Sequence, residues 1–235
     1  MIAIIPVEGI GEVADGDDVA ALVCAGAALL DGDVVVVAQK IVSKAEGRLV
    51  RVDPAQREAE RGRLIREEAT EVLARRGDVV IARTRHGFVC ASAGVDASNV
   101  PLDALALLPL DPDASAARIR DGIRTQAGVE VGVIVADTFG RPWRIGQTNV
   151  AIGVAGLDPV RDERGRTDAY GMTLEATVVA VADELAGAAE LVMGKADRVP
   201  VAVVRGHRLG HGGGTARDLI RPSEEDLFPR GIMDP

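Results

Sequence analysis

The sequence predicts an α+β fold in which mixed sheets are flanked by helices. Three observations carry that prediction. Short runs rich in Val and Ile, namely Val34 to Ala38, Val129 to Ala136 and Val199 to Val204, are largely apolar on successive residues, the mark of strands covered on both faces. Other stretches repeat their apolar residues every three to four positions: Asp17 or Asp18 to Leu30, Pro54 to Arg76, and Thr173 to Ala189. Val79 to Thr84 and Phe88 to Ala91 flank the short turn Arg85-His86-Gly87 and read as paired strands.

A chain of 235 residues is long enough to bury a substantial core, as one large domain or two small ones. Aromatic residues make up only 2%, so Val, Ala, Leu and Ile must fill that core. Few rings on which bases could stack, together with a net charge of −9, argue against a nucleic-acid binder but leave room for a local basic site that takes a small anion. Cys24 and Cys90 lie in apolar surroundings without a CxxC partner and read as reduced core residues. No basic-then-apolar leader opens the chain, and no apolar run reaches the roughly 18 residues of a bilayer span. A cytoplasmic protein without a membrane partner is expected.

Met1 to Ile5 is a short apolar strand, followed by a glycine-bearing loop from Pro6 to Val13. The helix after it carries Val19, Leu22, Val23, Leu29 and Leu30 on one face, with Gly26 in its middle. Gly9-Ile10-Gly11-Glu12-Val13-Ala14 matches the dinucleotide fingerprint as a string, but Asp15-Gly16 separates its glycines from the helix start that the motif requires. The loop stays a candidate nucleotide contact, because glycines let a ligand approach the backbone. After the turn Asp31-Gly32-Asp33, the strand from Val34 empties into a polar elbow, Gln39 to Arg48. Lys40, Lys44 and Arg48 recur every four residues and share a face on either a helix or a strand; a solvated basic face and a phosphate clamp are both open readings.

Pro54 to Arg76 reads as a charged surface helix with Leu64, Ile65, Ala69, Val72 and Leu73 as its stripe. His86 is read as a turn residue rather than a ligand. Gly94 to Asn99 is a small-residue loop that delivers Asp96 and Asn99 after a strand. Leu102 to Leu110 is apolar without a period that places it. Asp113 is expected to cap a helix ending near Gly128, and Asp158 to Asp168 to form an exposed loop. The helix from Thr173 turns Leu174, Val178, Val181, Ala182 and Leu185 inward, and Thr215 with Asp218 three residues on forms a capping pair in the tail.

The chemistry concentrates between Val129 and Gly156, read as strand, polar elbow, strand. An apolar run ends in Asp137-Thr138, and Arg141, Trp143, Arg144 and Gln147 follow at once. A turn that bonds its own backbone would explain Asp and Thr there. The only Trp of the chain and two arginines in the same loop favour a site on a rigid scaffold instead. A Walker loop is absent, since Gly194-Lys195 is followed by Ala. The His211-Gly-Gly-Gly214 string lacks the GxSxG elbow that a serine hydrolase needs, and scattered His and Cys give no zinc constellation. What remains is oxygen-rich: Asp96, Asp137 and the Thr138 hydroxyl at strand ends, with Asn99 close by. Hard cations such as Mg²⁺ and Mn²⁺ take such ligands together with substrate phosphates. Lys44, Arg141 and Arg144 add the positive charge that phosphoryl transfer uses.

GDVVVVAQKIVSKAEGRLV, ASAGVDASNV, VADTFGRPWRIGQTNVAIGVAGL and the late LVMGKAD…PVAVVRG, in this order, resemble the coenzyme F420-0:L-glutamate ligase family, also called the gamma-glutamyl ligase of deazaflavin biosynthesis. The likeness runs from Pro6 to about Phe228. It implies one catalytic unit over 1–235 without a fused reductase-like domain, in two intertwined lobes that assemble as a homodimer. It also implies ligation of L-glutamate to the deazaflavin precursor F420-0, driven by GTP with Mg²⁺ or Mn²⁺, and in some members responsive to K⁺. By motif, Asp96, Asp137 and Thr138 match metal-ligand positions. Ile10, Gly11, Glu12 and Val13, with Gln39, Lys44 and Asn99, match GTP contacts. Met193, Gly194, Lys195, Ala196 and Asp197 match a further nucleotide segment, although some relatives place an acidic residue where Lys195 stands. Lys44 is expected to act on the phosphates, and Arg141 and Arg144 on the anionic deazaflavin tail or on glutamate. A metal-dependent phosphohydrolase or a non-catalytic nucleotide binder would use the same residues.

Overall fold

The computed structural model describes residues 1–210 and 212–226. His211 of the glycine string, and Phe228 where the likeness ends, lie outside the described residues.

The expected α+β architecture is observed. Its centre is a five-stranded sheet in the order β1-β12-β2-β8-β9, formed by β1 (Ala3–Pro6), β2 (Val34–Ala38), β8 (Gly132–Arg141), β9 (Arg144–Ala155) and β12 (Val201–Arg205). Only β2 and β8 run parallel, with Val34 opposite Gly132 and Ala38 opposite Ala136. Val34 to Val37 and Val133 to Val135 are fully buried, as uninterrupted apolar strands require. Helices α1 (Val19–Gly26), α4 (Pro112–Ala127) and α5 (Val181–Met193) share one hydrophobic core with this sheet, and α2 (Gln39–Ala45) leaves the end of β2 directly.

A second hydrophobic cluster is built from Val52, Leu64, Ile65, Val80, Ala82, Ala93, Val95, Leu105 and Leu107, all from one stretch of the chain. This stretch holds β3 (Leu49–Arg51), α3 (Arg57–Glu68), β4 (Ala69–Arg76), β5 (Val79–Thr84), β6 (Val89–Ala91) and β7 (Ala104–Ala106). The unplaced segment Leu102 to Leu110 supplies β7, which pairs antiparallel with β3 at the floor of that cluster.

Four boundaries differ from expectation. Helix α1 stops at Gly26, where a Cβ would come within 2.6 Å of Val7 Cγ1, and Ala27 turns extended so that Leu29 reaches the core. The expected helix Pro54 to Arg76 is cut at Glu68: β4 pairs with β5 in an irregular register and keeps its arginines at an exposed end, so tertiary pairing overrides a charged, helix-like composition. Asp111, not Asp113, caps α4 by accepting from the Ala114 amide, while Asp113 accepts from the Val154 and Ala216 amides. The helix expected from Thr173 begins at Val181. Of the residues before it, the β-branched pair Val178 and Val179 instead forms β11 (Val178–Val179) against β10 (Arg161–Asp162). The expected pair Thr215 and Asp218 is present, with the Thr215 amide 2.9 Å from the Asp218 carboxylate. Among the described residues no helix is long and apolar enough to cross a membrane.

Candidate functional site

Because β2 and β8 are parallel and in register, their carboxyl ends deliver Gln39 and Lys40 beside Asp137 and Thr138. The carboxyl ends of parallel strands are where open sheets place ligands. A cleft of about 860 Å³ opens there. Fourteen of the expected site residues line it: Ile10, Gly11, Glu12, Val13, Gln39, Lys44, Asp96, Asn99, Asp137, Thr138, Met193, Gly194, Lys195 and Ala196. Asp197 does not; its carboxylate folds back over Gly194. Arg141 and Arg144 also stand outside the cleft. Strand β8 does not end at Asp137 but continues to Arg141, so the expected elbow is the exposed tip of a long β8–β9 hairpin.

A bulge aims Asp137. Val135 pairs with Gly153 but Ala136 with Ala151, so Ile152 is the extra residue, one step before Asp137. The Ala151 amide at this irregularity donates to Asp183 of α5 at 2.9 Å. One turn later Gly187 lets α5 approach β9, since a Cβ there would lie 3.2 Å from Thr148 Oγ1. One turn further Glu190 accepts from Asn149 Nδ2 at 2.8 Å, and Asn149 Oδ1 accepts from the Thr138 hydroxyl at 2.7 Å. Three residues on one face of α5 thus dock it and reach the site.

Asp96 arrives from the other cluster. Left-handed Ser92, Ala93 and Gly94 turn the chain, Asp96 bridges to Ala106, and its carboxylate accepts from the Ser98 amide at 2.7 Å. Lys40 locks this loop to α2: its ammonium sits 2.8 Å from Asp96 Oδ2, 2.6 Å from the Ser98 carbonyl and 3.0 Å from Ser98 Oγ. Arg48 is spent on Glu68 and the Leu108 carbonyl. Lys44 alone of the basic trio has an exchangeable partner. It is buried and ion-paired to Glu12, whose side chain is 79% exposed on the glycine loop. The solvated-face reading therefore falls. Asn99 Nδ2 donates to the Lys195 carbonyl at 3.2 Å and closes the cleft from the far side.

Burial works to raise the Asp96 carboxyl, but the Lys40 ammonium and the Ser98 amide outweigh it and hold the group below the usual carboxylate range. Asp137 goes the other way. Burial, then the charge of Asp96, push it up to about 6 despite the Thr138 amide and the charges of Lys195 and Lys40. Two carboxylates thus face one cleft, with Asp96 close enough to oppose the ionisation of Asp137. Among the described residues no group of three or more His, Cys, Asp and Glu is disposed to hold a metal ion. The donor set fits a hard cation that takes one or two carboxylates and a hydroxyl and completes its shell with water or substrate phosphate, as Mg²⁺ does. Burial, with a contribution from Asp137, pushes the nearby Cys90 thiol to about 12, so it is an inert core residue as expected. His86 sits in its turn, with Nε2 3.0 Å from the Pro109 carbonyl, as read.

Asn149 and Glu190 were not singled out in the sequence. Counting back from the Pro142-Trp143 tip would set Gln147 opposite Thr138; a two-residue shift between Gly140 and Arg141 puts Asn149 there instead, so the sequence pattern alone does not mark it. Glu190 is a carboxylate near the end of a helix that otherwise turns small and apolar residues inward.

Residues 9–206 match the family model described as F420-0:Gamma-glutamyl ligase. The chain is 45% identical to the Coenzyme F420:L-glutamate ligase of Methanothermobacter thermautotrophicus, over 97% of this chain and 98% of that one. It is 46% identical to the protein of the same name from Haloarcula marismortui, over 97% and 96% of the two chains. For the Methanocaldococcus jannaschii protein of that name the identity is 42%, over 84% and 85%.

Proposed function

Because the chain belongs to the F420-0:gamma-glutamyl ligase family, we propose that it joins L-glutamate to the deazaflavin precursor F420-0 through an amide bond, driven by GTP, with a divalent cation at Asp96, Asp137 and Thr138. The observation that carries this reading is the cleft itself. It gathers two carboxylates, a hydroxyl with its hydrogen turned away, and a buried lysine whose partner can be exchanged.

The nucleotide lies between the glycine loop from Ile10 to Val13, the start of α2 at Gln39, Asn99, and the Met193 to Ala196 segment. Lys44 releases Glu12 and takes a phosphate oxygen in its place, trading one anion for another in a buried setting. The terminal carboxylate of F420-0 attacks the γ-phosphorus and GDP leaves, giving an acyl phosphate. The amine of glutamate then forms the C–N bond as the C–O bond to phosphate breaks, and its surplus proton passes to solvent. Mg²⁺ or Mn²⁺ would neutralise phosphate charge and make phosphate a better leaving group. Lys40 keeps Asp96 ionised and oriented throughout. Activation by K⁺ and addition of further γ-linked glutamates belong to the same proposal.

One incubation tests it: F420-0, GTP, L-glutamate and Mn²⁺, followed by mass analysis, with ATP replacing GTP in a parallel arm. A glutamyl adduct with GTP is expected. Phosphate release without an adduct would instead make the protein a phosphohydrolase.

A further inference from the structure

We propose that Glu190 and Asn149 are positioning residues that aim the Thr138 hydroxyl at the cation, an inference that rests on the metal-assisted reading above. A hydroxyl has one hydrogen and two lone pairs. To ligate a cation it must turn a lone pair inward, so its hydrogen must be committed elsewhere. Here the hydrogen is given to Asn149 Oδ1 at 2.7 Å.

An amide can accept at one end and donate at the other, and Asn149, only 4% exposed, has no solvent to arbitrate between the two orientations. Glu190 arbitrates. Its carboxylate only accepts, so the NH₂ of Asn149 must face it, as it does at 2.8 Å, and the carbonyl end must face Thr138. Rotating the amide by half a turn would set an N–H against Thr138 Oγ1. The hydroxyl hydrogen would then point into the cleft, toward the cation. Glu190 thus fixes the polarity of the whole chain of bonds. Asp183 and Gly187 hold α5 close enough to β9 for it to do so. Neither Glu190 nor Asn149 need touch the cation for this role, although both line the cleft.

Glutamine separates this role from direct ligation. Glu190→Gln removes the charge that a metal ligand or a field effect would need. Because its amide can donate as well as accept, it leaves two orientations of Asn149 open, one of which still turns the Thr138 lone pair inward, so the loss expected from positioning alone is small. The experiment is Mn²⁺ binding to the full chain without nucleotide, read from the electron paramagnetic resonance signal of free Mn²⁺. The variants are Thr138→Val, Glu190→Ala, Glu190→Gln and the Thr138→Val/Glu190→Ala double variant, each checked for folding by thermal unfolding. Thr138→Val and Glu190→Ala are each expected to weaken binding about tenfold, the scale of outer-sphere losses, and Glu190→Gln by under about threefold. The double variant should bind no more weakly than Thr138→Val, because Glu190 acts through Thr138. Additive losses in the double variant, or Glu190→Gln as weak as Glu190→Ala, would overturn the positioning role alone. A wild-type protein that takes up no Mn²⁺ would overturn the metal reading along with it. If Glu190→Ala does not fold, Asn149→Ala replaces it in the cycle, since it severs the same chain of bonds.

Discussion

At the scale of single residues, Asp137 carries the sharpest conflict between stability and function. Its carboxyl titrates near 6 in the folded protein, against about 3.9 in an unfolded chain. Between those values the folded state binds the extra proton, so stability falls as pH rises through the window, and the penalty is complete above pH 6. A shift of that size corresponds to at most about 3 kcal/mol. Asp137→Asn keeps the shape without the charge. In metal-free protein it should therefore raise the unfolding temperature at pH 7.5, and by less at pH 5, while abolishing Mn²⁺ binding and ligation. A variant that is less stable than wild type at pH 7.5 would show that the buried charge is compensated. The same titration couples to the metal. Only the ionised carboxylate binds a cation, so Mn²⁺ affinity should be level above pH 6 and fall about tenfold per pH unit below it, as release of one proton on binding requires.

At the scale of elements, the site is set by how α5 lies on the β8–β9 hairpin, and Gly187 is a point of close approach there, where a Cβ would lie only 3.2 Å from Thr148 Oγ1. Gly187→Leu should push the helix off the strand, at a cost of about 1 to 3 kcal/mol from overpacking. Ligation should fall further than stability, because Glu190 is then withdrawn from Asn149; a folded variant with full activity would remove α5 from the site. The same elements show what the sequence can and cannot convey. Val34 to Val37 read as a buried strand because every side chain is apolar, and the aspartates read as functional because they follow such runs. Residues Ala69 to Arg76 were misread because their charges suit a surface helix, and only pairing with β5 makes them a strand. The start of α5 was misplaced because Val178 and Val179 fit an apolar helix face as well as they fit a strand. Glu190 was invisible because its meaning lies in Asn149, 41 residues away along the chain. Local pattern marks which residues could act; register and docking decide which ones meet.

At the scale of the whole molecule, the hairpin tip is the feature that one chain leaves unexplained. Trp143 is 78% exposed and Ile145 fully so, beside Arg141 and Arg144, on a strand pair that runs well beyond the cleft. Solvent-exposed apolar side chains of this size at the end of a projecting element suit contact with another protein surface. The homodimer implied by the resemblance supplies one, and Ile145→Asp should then give a monomer by light scattering while the wild type is a dimer. The two arginines sharpen the matter. If they act on substrate, they do so either on a part of it that reaches out of their own cleft or in the cleft of a second copy. Subunit mixing distinguishes the cases. Asp137→Asn and Arg144→Ala proteins should each be inactive alone. In trans, a mixed dimer joins an intact Asp137 cleft to an intact Arg144, and random pairing of equal amounts restores about a quarter of the wild-type sites. In cis no cleft is whole, and the mixture stays as inactive as its parts. An Arg144→Ala protein with full activity would instead take the tip out of catalysis and leave it a surface of assembly.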